Sequence, residues 1–198
     1  MNKLIFTLSL IFSLNSFAQE NKYEPVANKA EYYAVKYLPG KNYMDFRNWV
    51  MENQEKVLNK TDVYDNFDIA LFQPQFGTDL TQFDAVFLGL WPNATEMFAG
   101  MEYWAKNGGE QNAKVPVKTV QAVDTWQWAV SEPEGDPDIG VVRFSDCKMK
   151  DGVNANQVFD ALKGFAIAAK ETGDNLGRKM IFPGSGGTEG DYDYVYSL

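Results

Sequence analysis

The sequence predicts an α+β protein in which a β-α-β-β-α-β unit occurs once in full and then starts again. Three observations carry this. Apolar runs of strand length alternate with stretches of helical periodicity. The strands are apolar on both faces. Blocks of the first half recur in the second, 107 to 110 positions later.

The first strand is "EYYAVKYL", where Tyr33, Val35 and Tyr37 form one face and Tyr32, Ala34 and Leu38 the other. Pro39-Gly40 breaks it, and Asn42 is placed to cap the helix that follows. Phe46, Trp49, Val50 and Val57 then recur at helical spacing. Two strands come next in "FDIALFQPQFGTDLTQFDAVFLGLW", the second again apolar on both faces. Asn93, with Glu96 three residues on, starts a second helix that Asn107-Gly108 stops. "VPVKTVQAVDTWQWAVS" closes the unit as a long strand.

The second unit starts at "IGVVRFSDC", with Val142, Arg143 and Phe144 aligned on Val35, Lys36 and Tyr37 at an offset of 107. Val158, Phe159, Leu162, Phe165, Ala166 and Ala169 form its helix face. Gly187-Thr188 falls on Gly77-Thr78, and the segment from Tyr192 to Tyr196 falls on Phe83 to Phe87. The glycine-rich "FPGSGGTEG" therefore reads as a loop between the second and third strands. It has neither the lysine of a P-loop nor the strand-to-helix setting of a dinucleotide fingerprint. Leu198 corresponds to Gly89, so the repeat predicts about 41 further residues before the second unit is complete.

The N-terminus carries Lys3, an apolar run from Leu4 to Leu14, and Ser16-Phe17-Ala18 before Gln19. That is the pattern of a secretory signal peptide. The expected organisation is a signal peptide over 1–18, a linker over 19–30, a first unit over 31–131, an acidic linker over 132–138 and an incomplete second unit over 139–198. The mature protein is expected in the periplasm or secreted. Loss of Lys3 moves the formal charge from −9 to −10, which disfavours nucleic acid and anionic membranes as partners. Cys147 is the only cysteine, so no internal disulfide forms.

The opening "YYAVKYLPGKNYMDFRNW" resembles the NIPSNAP, EthD and antibiotic-biosynthesis-monooxygenase-like families of the dimeric α+β barrel superfamily. The resemblance implies two ferredoxin-like units packed as a pseudo-dimeric α+β barrel within one chain, the second unit truncated. It also implies a small-ligand pocket between sheet and helices, and it transfers no catalytic residue.

The chain has no histidine, which excludes Ser-His-Asp and Cys-His pairs, HExxH zinc sites and histidine-ligated haem within these residues. Acid-base chemistry would fall to Asp, Glu, Lys or Tyr. No cofactor is expected. Trp126 and Trp128 share a sheet face, and with Trp91 and Trp104 they are candidates to line an apolar pocket. Plain core packing is the competing reading. Tyr33, Lys36 and Gln127 are the candidate polar partners of a ligand. Glu134, Asp136 and Asp138 form an acidic linker with oxygen ligands for a hard cation, although the spacing matches no EF-hand. The functional expectation is an exported protein that binds a small apolar or aromatic molecule. A cofactor-independent enzyme and an assembly protein are the alternatives. The oligomeric state stays open.

Overall fold

The computed structural model describes residues 21–77, 79–135, 140–187 and 190–198. The expected signal peptide, Thr78, Thr188, Asp136 and Asp138 lie outside these residues. Seven strands form one antiparallel sheet: β1 (Ala27–Tyr37), β2 (Asp68–Phe72), β3 (Ala85–Trp91), β4 (Val117–Ser131), β5 (Phe144–Cys147), β6 (Arg178–Pro183) and β7 (Tyr194–Ser197). The helices are α1 (Tyr43–Lys56), α2 (Ala94–Asn107), the single turn α3 (Gly109–Asn112) and α4 (Ala155–Glu171). β1 starts at Ala27, four residues before the expected boundary at Glu31, because Ala27 to Ala30 pair with β4.

The helices begin where short polar side chains satisfy the unpaired N–H groups of the first turn. Asn42 accepts from the backbone of Met44 and Asp45, and Asp45 bonds back to the Asn42 N–H. Asn154 and Gln157 make the same reciprocal box at α4. Asn93 caps α2 through the Glu96 N–H at 3.0 Å.

The strand order is β2-β3-β1-β4-β6-β7-β5. Within it, β2-β3-β1-β4 is the ferredoxin-like order of a complete unit, and β6-β7-β5 repeats the first three positions of that order. The fifteen-residue β4 pairs with β1 on one side and β6 on the other, so it joins the units. The protein is a mixed α+β fold of two ferredoxin-like units sharing one sheet.

Matching hydrogen bonds locate the repeat. Tyr37 N–H donates to the Asp84 carboxylate at 2.7 Å while Asp84 N–H donates to the Val35 carbonyl at 2.8 Å. In the second unit, Met149 N–H donates to Asp193 at 2.6 Å and Asp193 N–H to the Cys147 carbonyl at 2.9 Å. Val35 therefore corresponds to Cys147 and Asn42 to Asn154, an offset of 112 positions rather than the expected 107. The difference is odd, so it exchanges the two faces of the first strand. Phe144 does not stand where Tyr37 stands.

The odd-numbered residues of β1 pack under α1 and α2, where Val35, Phe46, Val50, Ala85 and Val117 form the first core. The second core lies under α4 and contains Val130, Phe159, Ala166, Met180 and Tyr194. Phe165, expected on the buried face of α4, is 59% exposed and lies beside the Arg178 guanidinium. The inward positions of that helix go to Phe159 and Ala166 instead.

Candidate functional site

The even-numbered residues of β1 face away from the helices. Pairing register carries that face across the sheet: Tyr32 aligns with Leu88 and Val123, Asn28 with Gln127, and Gln127 with Ile181. On the last two strands the register continues through Val195 and Ser197 to Phe144 and Asp146. The face is closed on itself. Phe144 of β5, at one end of the strand order, meets Phe72 of β2, at the other end, edge-to-face at 6.1 Å. It also meets Tyr32 of β1 at 6.2 Å. A sheet whose ends touch in this way is a barrel, here with an unpaired seam between β2 and β5. The strand order and closure define the class: an α+β barrel built from fused ferredoxin-like units, with helices outside.

The barrel interior is mostly apolar with a few polar groups. Leu88 and Ile181 are buried, whereas Tyr32, Val86, Leu90 and Val195 keep partial solvent contact although they point inward. Gln127 is 2% exposed. Its Nε2 donates to the Tyr32 hydroxyl at 2.5 Å, and its Oε1 has no partner. Burial raises the Tyr32 pKa well above the ordinary tyrosine range, so this phenol is neutral. Lys179, two positions from Ile181 and on the same face, is desolvated; burial lowers its pKa against the smaller opposing pull of Glu132 and Asp68. A cleft of about 560 Å³ lies between residues 22–26 and α4, lined by Tyr23, Phe159 and Lys163 together with Asn28, Ala129 and Glu132.

The nominated residues divide between the two sides of the sheet. Gln127 points into the barrel, and Lys36 is exposed on the same face. Tyr33, Trp91, Trp126 and Trp128 lie on the helix side, so they do not surround one pocket with Gln127. Trp128 packs against Phe159 and Phe182 at 5.8 and 4.8 Å. Trp104 meets Trp49 edge-on at 6.4 Å. Trp126 is 40% exposed, with the Lys29 ammonium 4.7 Å from its ring centre. Glu134 is exposed and pairs with Lys170 at 2.5 Å. Among the described residues no group of three or more Cys, Asp or Glu could hold a metal ion.

Two buried polar clusters on the helix side escaped the sequence reading. Glu31 is 8% exposed and accepts from the Tyr33 hydroxyl at 2.7 Å and Trp91 Nε1 at 3.1 Å. Burial raises its pKa, and the two hydrogen bonds offset part of that rise. Gly89 makes room for it, since a Cβ there would lie 2.8 Å from the Phe67 ring and 2.9 Å from Glu31 Oε1. The lid is tight: Phe67 and Trp91 sit 4.1 Å apart, and Tyr64 donates to the Gly100 carbonyl at 2.6 Å. The second cluster is the Lys29–Asp124 ion pair, whose carboxylate also accepts from Ser185 N–H at 2.5 Å. Burial pushes the Asp124 pKa up, but its hydrogen bonds together outweigh that and hold it low. The only sequence signal for either cluster was a charge within an apolar strand.

No protein-family model matches the chain, and no curated protein matches it. Solved structures similar to it include a protein assigned as a chlorite dismutase, 13% identical over 86% of this chain and 78% of that one, with a TM-score of 0.43. A mutant chlorite dismutase from Candidatus Nitrospira defluvii is 8% identical over 88% of this chain and 77% of its own, with a TM-score of 0.45. Likeness at that level transfers no activity, and the fold stands on the strand order and barrel closure described above.

Proposed function

We propose that this is an exported protein that binds a small apolar or aromatic molecule inside its barrel. The observation that carries the reading is the inward-facing wall of Tyr32, Phe72 and Phe144, which retains solvent contact beside the buried, half-bonded Gln127 amide. Apolar walls with few polar groups are the ordinary environment of a small-ligand site. In this reading the chain is a fused pair of units similar to NIPSNAP, EthD and antibiotic-biosynthesis-monooxygenase-like proteins, with its ligand in the barrel rather than under the helices.

An enzyme reading finds its best support in Glu31, a carboxyl biased toward its neutral form beside a tyrosine. Phe67 and Trp91 leave no room for a substrate against it, so binding without turnover is favoured.

The test is uptake of N-phenyl-1-naphthylamine, a neutral probe that fluoresces in apolar surroundings. The wild type should bind it, and Leu88→Trp, which fills the barrel, should abolish binding while circular dichroism stays unchanged. Equal fluorescence from both proteins would place the probe elsewhere and sink the proposal. Export is tested by mass spectrometry of the protein recovered from a bacterial periplasm, whose first residue should be Gln19.

A further inference from the structure

Every strand pairing in the sheet is antiparallel, so chain direction alternates along the strand order. With seven strands, the two at the ends, β2 and β5, run the same way. They cannot close on each other with the ladder used everywhere else, whereas one strand antiparallel to both restores the alternation. The first unit shows how such a position is filled. Its β4 pairs with β1 on one edge and with β6 on the other. The 112-position repeat makes β5 the counterpart of β1 and sets Phe144 on Tyr32. Tyr32 aligns with Leu88 on one side and with Val123 of β4 on the other, but Phe144 aligns with Ser197 alone. Likewise β6, the counterpart of β2, is paired on both edges, and β2 only with β3.

The free edge of β5 is aimed at the seam. Arg143 exchanges both backbone hydrogen bonds with Leu198, at 2.8 and 3.1 Å. Alternation along an antiparallel ladder therefore turns the N–H and C=O groups of Phe144 and Asp146 away from β7. Apolar surface accompanies them: Phe144 is 45% exposed, and Val141 and Val142 just before it are 84% and 41% exposed. Each edge strand also carries an exposed aspartate, Asp68 in β2 and Asp146 in β5, whose carboxylates make no hydrogen bond or ion pair among the described residues. Like charge disfavours pairing with the same edge of a second copy. A strand that enters between β2 and β5 also needs both of its own edges free, and every described strand of a second copy has at least one committed to its own sheet.

We infer that the seam takes an extended basic peptide of another polypeptide, added as a strand antiparallel to both β2 and β5. Main-chain hydrogen bonds to the two edges supply the affinity, and alternate side chains supply the selectivity. Asp68 shares a strand face with Phe72, and Asp146 with Phe144. The ring contact levels Phe72 with Phe144, so the order along the seam is Asp68, the two rings, Asp146. A matching strand has apolar residues at its centre and a basic residue at each end of the same face, six positions apart by the count of residues on β2 and β5. The site is separate from a small ligand inside the barrel and stands whether or not one binds.

The probe is a fluorescein-labelled peptide of sequence Lys-Thr-Val-Thr-Val-Thr-Lys, with binding read by fluorescence anisotropy. Two comparison peptides carry glutamate in place of both lysines, or methyl groups on the backbone nitrogens of alternate residues, which removes the ladder donors and keeps the charge. Wild type should bind the lysine peptide about tenfold more tightly than either, the scale of one charge-assisted hydrogen bond. The double variant Asp68→Lys with Asp146→Lys should reverse the preference to the glutamate peptide, with circular dichroism unchanged. The comparison with the methylated peptide is made on wild type, so it decides even if that variant fails to fold. Equal binding of the methylated and unmethylated peptides would mean attraction to an acidic surface without strand addition, and it overturns the inference. So does a folded double variant that keeps the original preference, or no binding of the lysine peptide at all. A concentration-dependent dimer in sedimentation that the peptide disperses would give the seam to a second copy, which also overturns it.

Discussion

Phe72 and Phe144 come from the two strands at opposite ends of the sheet order, yet their rings meet edge-to-face with centroids 6.1 Å apart. That contact turns a seven-stranded sheet into a barrel. No ladder hydrogen bonds join β2 to β5 among the described residues, so closure at this seam rests on side chains.

The pair should therefore behave as a coupled unit. A double-mutant cycle of Phe72→Ala and Phe144→Ala, read by urea denaturation, is expected to give a coupling energy of about 0.5–1.5 kcal/mol. Strict additivity would mean that the rings do not hold the seam.

The tryptophans of β4 should differ sharply although they share a face. Trp128 is packed between Phe159 and Phe182, so Trp128→Ala should cost about 3–5 kcal/mol. Trp126 is 40% exposed and covers Lys29 from one side, and its truncation should cost less than about 2 kcal/mol. Equal losses of melting temperature would contradict this placement.

Glu31 and Asp124 should pull the pH dependence of stability in opposite directions. The Glu31 pKa is raised above its unfolded value of 4.5 by burial. Its contribution is therefore fully present below that value and is lost as pH rises through the folded pKa. Glu31→Gln removes the cost of a buried charge while keeping an acceptor for Trp91. It should stabilise the protein at pH 7 by about 1–2 kcal/mol, with the gain shrinking toward pH 4. Thermal melts at the two pH values decide it, and a constant difference would show that Glu31 does not titrate with folding.

Asp124 is the reverse case. Its pKa is held below 3.8 in the folded protein, so its contribution is present above that value and is lost as pH falls through the folded pKa. Asp124→Asn leaves Lys29, 4% exposed, without its counter-charge. The expected cost near neutral pH is about 3 kcal/mol. The variant should also lose less stability than wild type on acidification below pH 4. A cost within error of zero would mean that the ion pair contributes nothing to the fold.

The sequence by itself determined the elements and their order. Asn42 and Asn93 announced their helices because capping is local chemistry within three residues of chain. The apolar character of both β1 faces announced a sheet covered on both sides, because strand periodicity is also local. The recurrence of the unit was legible from the same signals, but its offset in the first strand was not. A five-position error there, from 112 to 107, reverses which side chains face the barrel, and only the ladder bonds of Asp84 and Asp193 correct it. Tertiary structure alone decided that Gln127 and Trp128, adjacent in the chain, serve opposite sides of the sheet in separate environments. It alone decided that Phe72 meets Phe144, that Lys29 meets Asp124, and that Lys179 shares an interior with Gln127. These contacts join residues tens of positions apart, and their register is set by strand pairing across the whole sheet, which no short window of sequence contains.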